Sequence, residues 1–324
     1  MKRLALSALL LCSAAHSRCT LRRDAVVAVY AATGAGGAGD NSVAWTRAFF
    51  AWFAAPNPAL VVDYVADASE VAAYPVGGGC RLAADFPTLE LWVQPGGSAD
   101  NFSTSLGPGG RDNLLDFAAS ARGHYMGTCA GMYFAAGTCA CATRGFRRPR
   151  RRRRADAPAR PAHCPSPSPP PPRVPDWWFD KFYGEAWMPH WWPTLEGPVR
   201  AIATYPEYAP VALADGRTAL YWGGPVLGLN HTTSSVPDGA TVRATFDSPL
   251  LAAPLAAAYR YRGAYVNALL STAHPEAVAG SGIACAPPLP AGCLTRAQQL
   301  ANWQWLAAEI NDLLGRAWVI PSAL

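Results

Sequence analysis

A short apolar run, His124-Tyr125-Met126-Gly127-Thr128, leads directly into Cys129-Ala130-Gly131-Met132-Tyr133, where small and apolar residues continue as they would in a helix. Gly-x-Cys-x-Gly at the junction predicts a strand that ends, a sharp turn at Cys129, and a helix that starts at once. The flanking glycines leave room for the cramped turn and for close helix–strand packing. Such an elbow lifts the sulfur clear of the sheet and sets it near a helix N-terminus, where partial positive charge favours thiolate over thiol. The rival reading is a buried Cys in a Gly/Ala-rich packed segment. The rest of the chain decides between them.

Upstream, Ala25 to Tyr30 is a Val-rich apolar run suited to a strand buried on both faces. It enters the Gly-rich stretch Thr33–Gly39, then Asp40-Asn41-Ser42 as helix caps, then a helix over Val43–Ala54 rich in aromatics. The Gly-rich stretch lacks the Lys-Ser/Thr ending of a phosphate-binding loop, and alternate glycines are cheap in this composition, so it is read as an active-site rim. Ala59–Val65 and Leu89–Gln94 predict two further buried strands, Arg111–Arg122 a helix, and His124–Thr128 a fourth strand. Strands alternating with helices in this way predict an open parallel sheet covered on both faces. Ligands in such sheets sit beyond the carboxyl ends of the strands, where Gly34–Gly39, Pro95–Ser98 and Cys129 all fall. Later pieces read as β-like: Val199–Thr204, Thr218–Trp222, Thr241–Phe246, Ala256–Tyr261 and Ala264–Leu270, with hairpin turns at Asp215-Gly216 and Arg262-Gly263. Thr295–Leu314 closes the chain as an amphipathic helix, with Leu300, Trp303, Leu306, Ala307, Ile310 and Leu314 on one face.

Charge is unevenly spread. The net +5 conceals ten Arg and one Asp over residues 143–174, which leaves the remainder at −4 and excludes a nucleic-acid-binding body. That segment, with five consecutive Arg and the Pro/Ser-rich run Pro165–Pro172, cannot build a core and is expected to be disordered. It reads as a solvated insertion at about residues 143–175, or as translated sequence that the mature messenger lacks. A basic loop for anionic surfaces is the less favoured reading. At the N-terminus, Lys2-Arg3, the apolar Leu4–Leu11 and Ala15-His16-Ser17 predict a signal peptide over residues 1–17, hence a chain in the secretory pathway with no membrane span after cleavage. One domain, 18–324, is expected to follow. Of nine Cys, eight remain after the leader. With Cys129 free, at least one more is unpaired; Cys285 and Cys293 could pair, whereas Cys139 and Cys141 are too close for an easy bridge. Asn101-Phe102-Ser103 and Asn230-His231-Thr232 fit the glycosylation sequon.

The second informative stretch is Leu269-Leu270-Ser271-Thr272-Ala273-His274-Pro275-Glu276. His and Glu follow an apolar strand directly, so both should emerge at its carboxyl end. A Cys nucleophile needs a base for its proton, and the base needs a third group to fix its tautomer and stabilise its charged form. Glu276 can do this for His274.

Four stretches then occur in family order: Val93–Asp100, Gly127–Ala135, Ala219–Pro225 and Ser271–Glu276. On these the chain resembles the class I glutamine amidotransferase fold, and more closely the biotin–protein ligase N-terminal domain-like family. The resemblance spans roughly Val26–Leu314 apart from the Arg/Pro-rich insertion. It implies an α/β, open, mostly parallel, doubly wound (flavodoxin-like) sheet with a β-rich later portion. It further implies Cys129 as nucleophile, His274 as base and Glu276 as its orienting carboxylate. The backbone N–H groups of Gly96, Gly97 and Ala130 would receive an oxyanion, and a thioester would form at Cys129. Glutamine-using members commonly carry Gln two residues after the second elbow glycine; here that position is Tyr133. Tyr133 and Ser98 are the expected substrate-pocket residues, and the substrate is an amide or ester other than glutamine. No cofactor or metal is read, and no ligase or synthase domain is expected to follow. The rival class is a catalytically inactive small-molecule-binding module, with Trp177-Trp178-Phe179 and Trp191-Trp192 lining a site.

Overall fold

The computed structural model of the chain describes residues 19–74, 79–136, 186–187, 208–222, 226–227, 240–247, 256–262, 267–280 and 294–324. The leader, the insertion at 143–175, both Trp clusters, the Val199–Thr204 strand, Gly223–Pro225, the Asn230 sequon, the proposed Cys285–Cys293 pair and Cys139 and Cys141 lie outside them.

Four runs expected from their β-branched and aromatic residues form strands: β1 (Val27–Tyr30), β2 (Val62–Val65), β3 (Leu91–Gln94) and β4 (His124–Thr128). They pair in parallel in the order β2-β1-β3-β4. The fifth parallel strand comes only after a long excursion. Short pieces β5 (Ala186–Trp187), β6 (Tyr208–Ala212), β7 (Thr218–Trp222), β8 (Val226–Leu227), β9 (Ala240–Thr245) and β10 (Ala256–Arg262) precede β11 (Asn267–Ser271). β11 then docks parallel to β4, in register from Asn267↔His124 to Ser271↔Thr128. The parallel core is therefore β2-β1-β3-β4-β11, the doubly wound, flavodoxin-like order. β10 runs antiparallel to β11 and carries β9 and β8, while β6 and β7 form a separate hairpin. The expected fold class, with its β-rich later portion, is what the chain adopts.

Strand alternation supplies both faces. Tyr30, Trp92 and Tyr125 enter one core with Phe102 and Phe117 of α4 (Ala99–Ala118) and Met132 of α5 (Ala130–Ala136). Their neighbours Val29, Val93 and Met126 enter the other, with Phe49, Phe50 and Phe53 of α1 (Asp40–Ala54) and Trp303, Leu306 and Ile310 of α6 (Arg296–Leu314). Two single-turn helices, α2 (Ser69–Ala72) and α3 (Leu82–Asp85), pack on α4. Full burial of a side chain such as Phe53 or Ile310 contributes roughly 1.5–3 kcal/mol. Helix α6 is well bounded: Thr295 and Gln298 form a capping box, and Gly315 closes the other end in the left-handed region. Arg243 of β9 forks onto Glu309 of α6 at 2.8 Å, fixing the β-rich portion to the helix.

Some elements differ from expectation. β2 is only half-buried over three of its four residues, because it is the edge of the sheet and not an interior strand. Asp40, Asn41 and Ser42 are the first turn of α1, with Gly39 as N-cap and no side-chain cap. α4 begins at Ala99, well before Arg111, and it is kinked at Gly107 (φ 56°) ahead of Pro108. Its N-cap is Ser98. β6 was not anticipated. Cys19 and Cys80 form a disulfide that spacing alone could not assign, and Cys129 is free. Among the described residues no helix is long and apolar enough to cross a membrane.

Candidate active site

The elbow forms where the glycine spacing places it. Cys129 has φ 51°, the only positive φ at a non-glycine among the described residues. Such a conformation costs on the order of 1–3 kcal/mol and persists only where the surroundings over-determine it. Here they do. The Cys129 N–H donates to Ser271 O (2.8 Å), and the Met132 N–H donates to Cys129 O (3.0 Å). The Tyr125 hydroxyl reaches past the turn to Gly131 O (2.7 Å). A β-carbon at Gly131 would run into the Gln94 carbonyl, and one at Gly127 would lie 2.7 Å from Gly131 O. Only glycine permits α5 to sit this low on β3 and β4.

β11 delivers the other half. Its carboxyl end continues to His274, whose N–H donates to Leu220 O of β7 (2.7 Å). His274 Nδ1 and Glu276 Oε1 are 2.8 Å apart, and each residue is 1% exposed. The Trp303 indole N–H of α6 donates to Glu276 O (3.1 Å), and Trp45 of α1 packs edge-on against the His274 ring at 5.6 Å. Burial pushes the His274 imidazolium down. The Glu276 carboxylate and the thiolate form of Cys129 outweigh that and raise its pKa to about 10.

The Pro95–Gly97 turn closes the third side. A β-carbon at Gly96 would lie 2.6 Å from His274 Cε1 and 3.3 Å from Cys129 Cβ, so this turn sits directly against both residues. The Gly-rich stretch after β1 clasps it from outside: Gly39 N–H donates to Gly96 O (2.9 Å) and Ser98 N–H to Gly37 O (2.8 Å). Elements from β3, β4, β11 and α1 thus converge at one end of the sheet.

Two expectations change in detail, at Gly96 and Ser98. The Gly96 N–H, assigned to an oxyanion, donates instead to Ser42 Oγ at 2.8 Å. The N–H groups of Gly97 and Ala130 have no acceptor among the described residues. Ser98, placed in a substrate pocket, spends its hydroxyl on the Asn101 N–H as the cap of α4 (3.3 Å). The main chain of Tyr133 lies in α5, and its side chain is outside the described residues.

Two participants were missed. Ser42 is 2% exposed and contacts both the turn and the acid of the His–Glu pair. Its signal was a polar residue on the apolar stripe of a helix, with Thr46, Phe49 and Phe53. Trp222 accepts the Cys129 S–H on its carbonyl oxygen (3.2 Å), while His274 Nε2 is buried without a hydrogen-bond partner among the described residues. Nothing in the sequence marks a backbone carbonyl for that role. As for metals, Cys19, Glu70 and Cys80 bring ligand atoms within 4.8 Å of one another, but both sulfurs are consumed in the disulfide and Thr20 occupies the Glu70 carboxylate.

The fold and site define an open parallel α/β protein with a strained cysteine elbow beside a buried His–Glu pair. No family model matches the chain, and no curated protein sequence matches it. A solved structure titled "Crystal structure of glutamine amidotransferase" aligns over 90% of this chain and 99% of its own, at 15% identity and a TM-score of 0.45. That overlap is too loose to lend the site a role. The sheet order and the elbow stand on the chain's own geometry.

Proposed function

We propose that the chain is a cysteine-dependent hydrolase or acyl transferase that opens an amide or ester through a thioester at Cys129. The observation that carries this is the φ of 51° at Cys129, a strained backbone whose side chain is set beside the His274–Glu276 pair. In the reaction the Cys129 thiolate adds to the substrate carbonyl, and the N–H groups of Gly97 and Ala130 receive the oxyanion. Collapse breaks the bond to the leaving amine or alcohol, which takes a proton from His274 Nε2. Water, or a nitrogen nucleophile, then gives its proton to His274 and attacks the thioester, releasing the product and restoring the thiol. Glu276 holds the Nδ1–H tautomer throughout. Tyr133 stands where glutamine-using relatives carry Gln, so glutamine should release little or no ammonia. The Cys19–Cys80 disulfide supports an oxidising, secretory location.

A second reading has one observation in its favour. The thiol donates to the Trp222 carbonyl while His274 Nε2 has no hydrogen-bond partner among the described residues, an arrangement that also suits a small-molecule-binding module that has lost catalysis. Limiting iodoacetamide at near-neutral pH separates the two. Preferential labelling of Cys129, slowed at least tenfold in His274→Ala, supports the enzyme; labelling no faster than in the unfolded chain supports the binding module.

A further inference from the structure

We infer that Ser42 is a positioning residue that ties the turn beside the oxyanion donors to the acid of the triad, an inference that rests on reading Cys129–His274–Glu276 as an acyl-transfer triad. Its Oγ accepts the Gly96 N–H (2.8 Å) and stands 3.2 Å from Glu276 Oε1. The direction of both bonds is settled by chemistry. A backbone amide can only donate, so the single hydroxyl proton is free to go to the carboxylate. Ser42 is 2% exposed, which excludes water as a ready substitute for either partner.

Two consequences follow from this placement. Glu276 Oε1 receives two donors, the Ser42 O–H and the His274 Nδ1–H, while Oε2 is buried with no partner among the described residues. The two donors share one carboxylate oxygen, so the Ser42 O–H competes with the His274 Nδ1–H for it and moderates the hold of Glu276 on the imidazolium. The same hydroxyl also fixes Gly96 against His274 and, with it, the neighbouring Gly97 N–H. One side chain on α1 thus sets the spacing between the donors for the oxyanion and the group that orients the base. No bond to substrate is required of it, and its proton stays on Oγ.

The test uses the full chain carrying Ser42→Ala or Ser42→Thr, with the His274 ring nitrogens followed by NMR across the alkaline range. Ser42→Ala should raise the His274 titration midpoint by about half to one pH unit, since one competing donor to the carboxylate is gone. Ser42→Thr, which restores the hydroxyl, should return it toward the wild-type value. A buried serine that merely packs would leave the midpoint of the folded protein where it was, and that outcome overturns the proposal, as does a Thr variant that behaves like Ala. Should Ser42→Ala fail to fold, Ser42→Cys offers a weaker donor of similar size and is judged by the same shift. The midpoint is read without substrate or electrophile. Unactivated Cys129 in the wild type would therefore remove the acyl-transfer reading and leave the Ser42 shift still measurable.

Discussion

His274 is the residue whose surroundings make the sharpest demand on pH. It is fully enclosed, yet Glu276 and Cys129 raise its pKa from 6.5 to about 10. A raised pKa means that the imidazolium is favoured more by the folded chain than by the unfolded one. Its contribution to stability is complete below about pH 6.5, shrinks as the unfolded chain loses its proton, and is gone above about pH 10. Thermal melts across that window should show the wild type losing stability, with a flatter profile for His274→Gln. Gly96 makes a steric demand beside it. Gly96→Ala places a methyl 2.6 Å from His274 Cε1 and 3.3 Å from Cys129 Cβ, and should cut iodoacetamide labelling of Cys129 at least tenfold while the far-ultraviolet circular dichroism is retained. At this scale the sequence was most legible where chemistry demands a particular residue type, as at Cys129, His274 and Glu276. It was least legible for Ser42, which resembles a helix cap, and for the Gly96 N–H, whose partner lies on a different element.

Elements locate the site because each ends at the same edge. The junction of β4 and α5 was readable from Gly127 and Gly131, since only a residue without a side chain fits against Gln94 and the turn. Gly131→Ala should therefore cost about 1–3 kcal/mol in urea unfolding and lower labelling of Cys129, because α5 must rise off the sheet. α6 was readable from its periodicity and from Thr295, whose capping box with Gln298 marks the first turn. Local signals failed in two kinds of place. Gly107-Pro108-Gly109-Gly110 resembles a helix break, yet the chain resumes its helix after a kink at Gly107, and Pro108 sits where the lost N–H matters least. β2 has the residues of an interior strand and lies at the edge, a matter of sheet order that no short window contains.

On the scale of the whole molecule, the Cys19–Cys80 disulfide ties the start of the described chain to the segment between α2 and α3, across a sequence separation of 61. Closing a loop of that length stabilises by about 4 kcal/mol through the unfolded chain. Replacing both cysteines by Ala should lower the melting temperature by several degrees and leave Cys129 labelling near the wild-type rate. The parallel order β2-β1-β3-β4-β11 has a further meaning in time. The strands up to β4 are contiguous in sequence, so Cys129 stands at the end of β4 before β11 supplies the Ser271 carbonyl that holds its N–H. The residue that would activate it arrives with β11, after the whole β-rich excursion, and only the pairing of Ser271 with Thr128 brings the two together. Loop closure on that scale is slow relative to local helix and turn formation. On the proposed function, a ribosome-bound or half-folded chain would carry Cys129 without its base, and reactivity would appear in a single late step that also certifies that the sheet is complete.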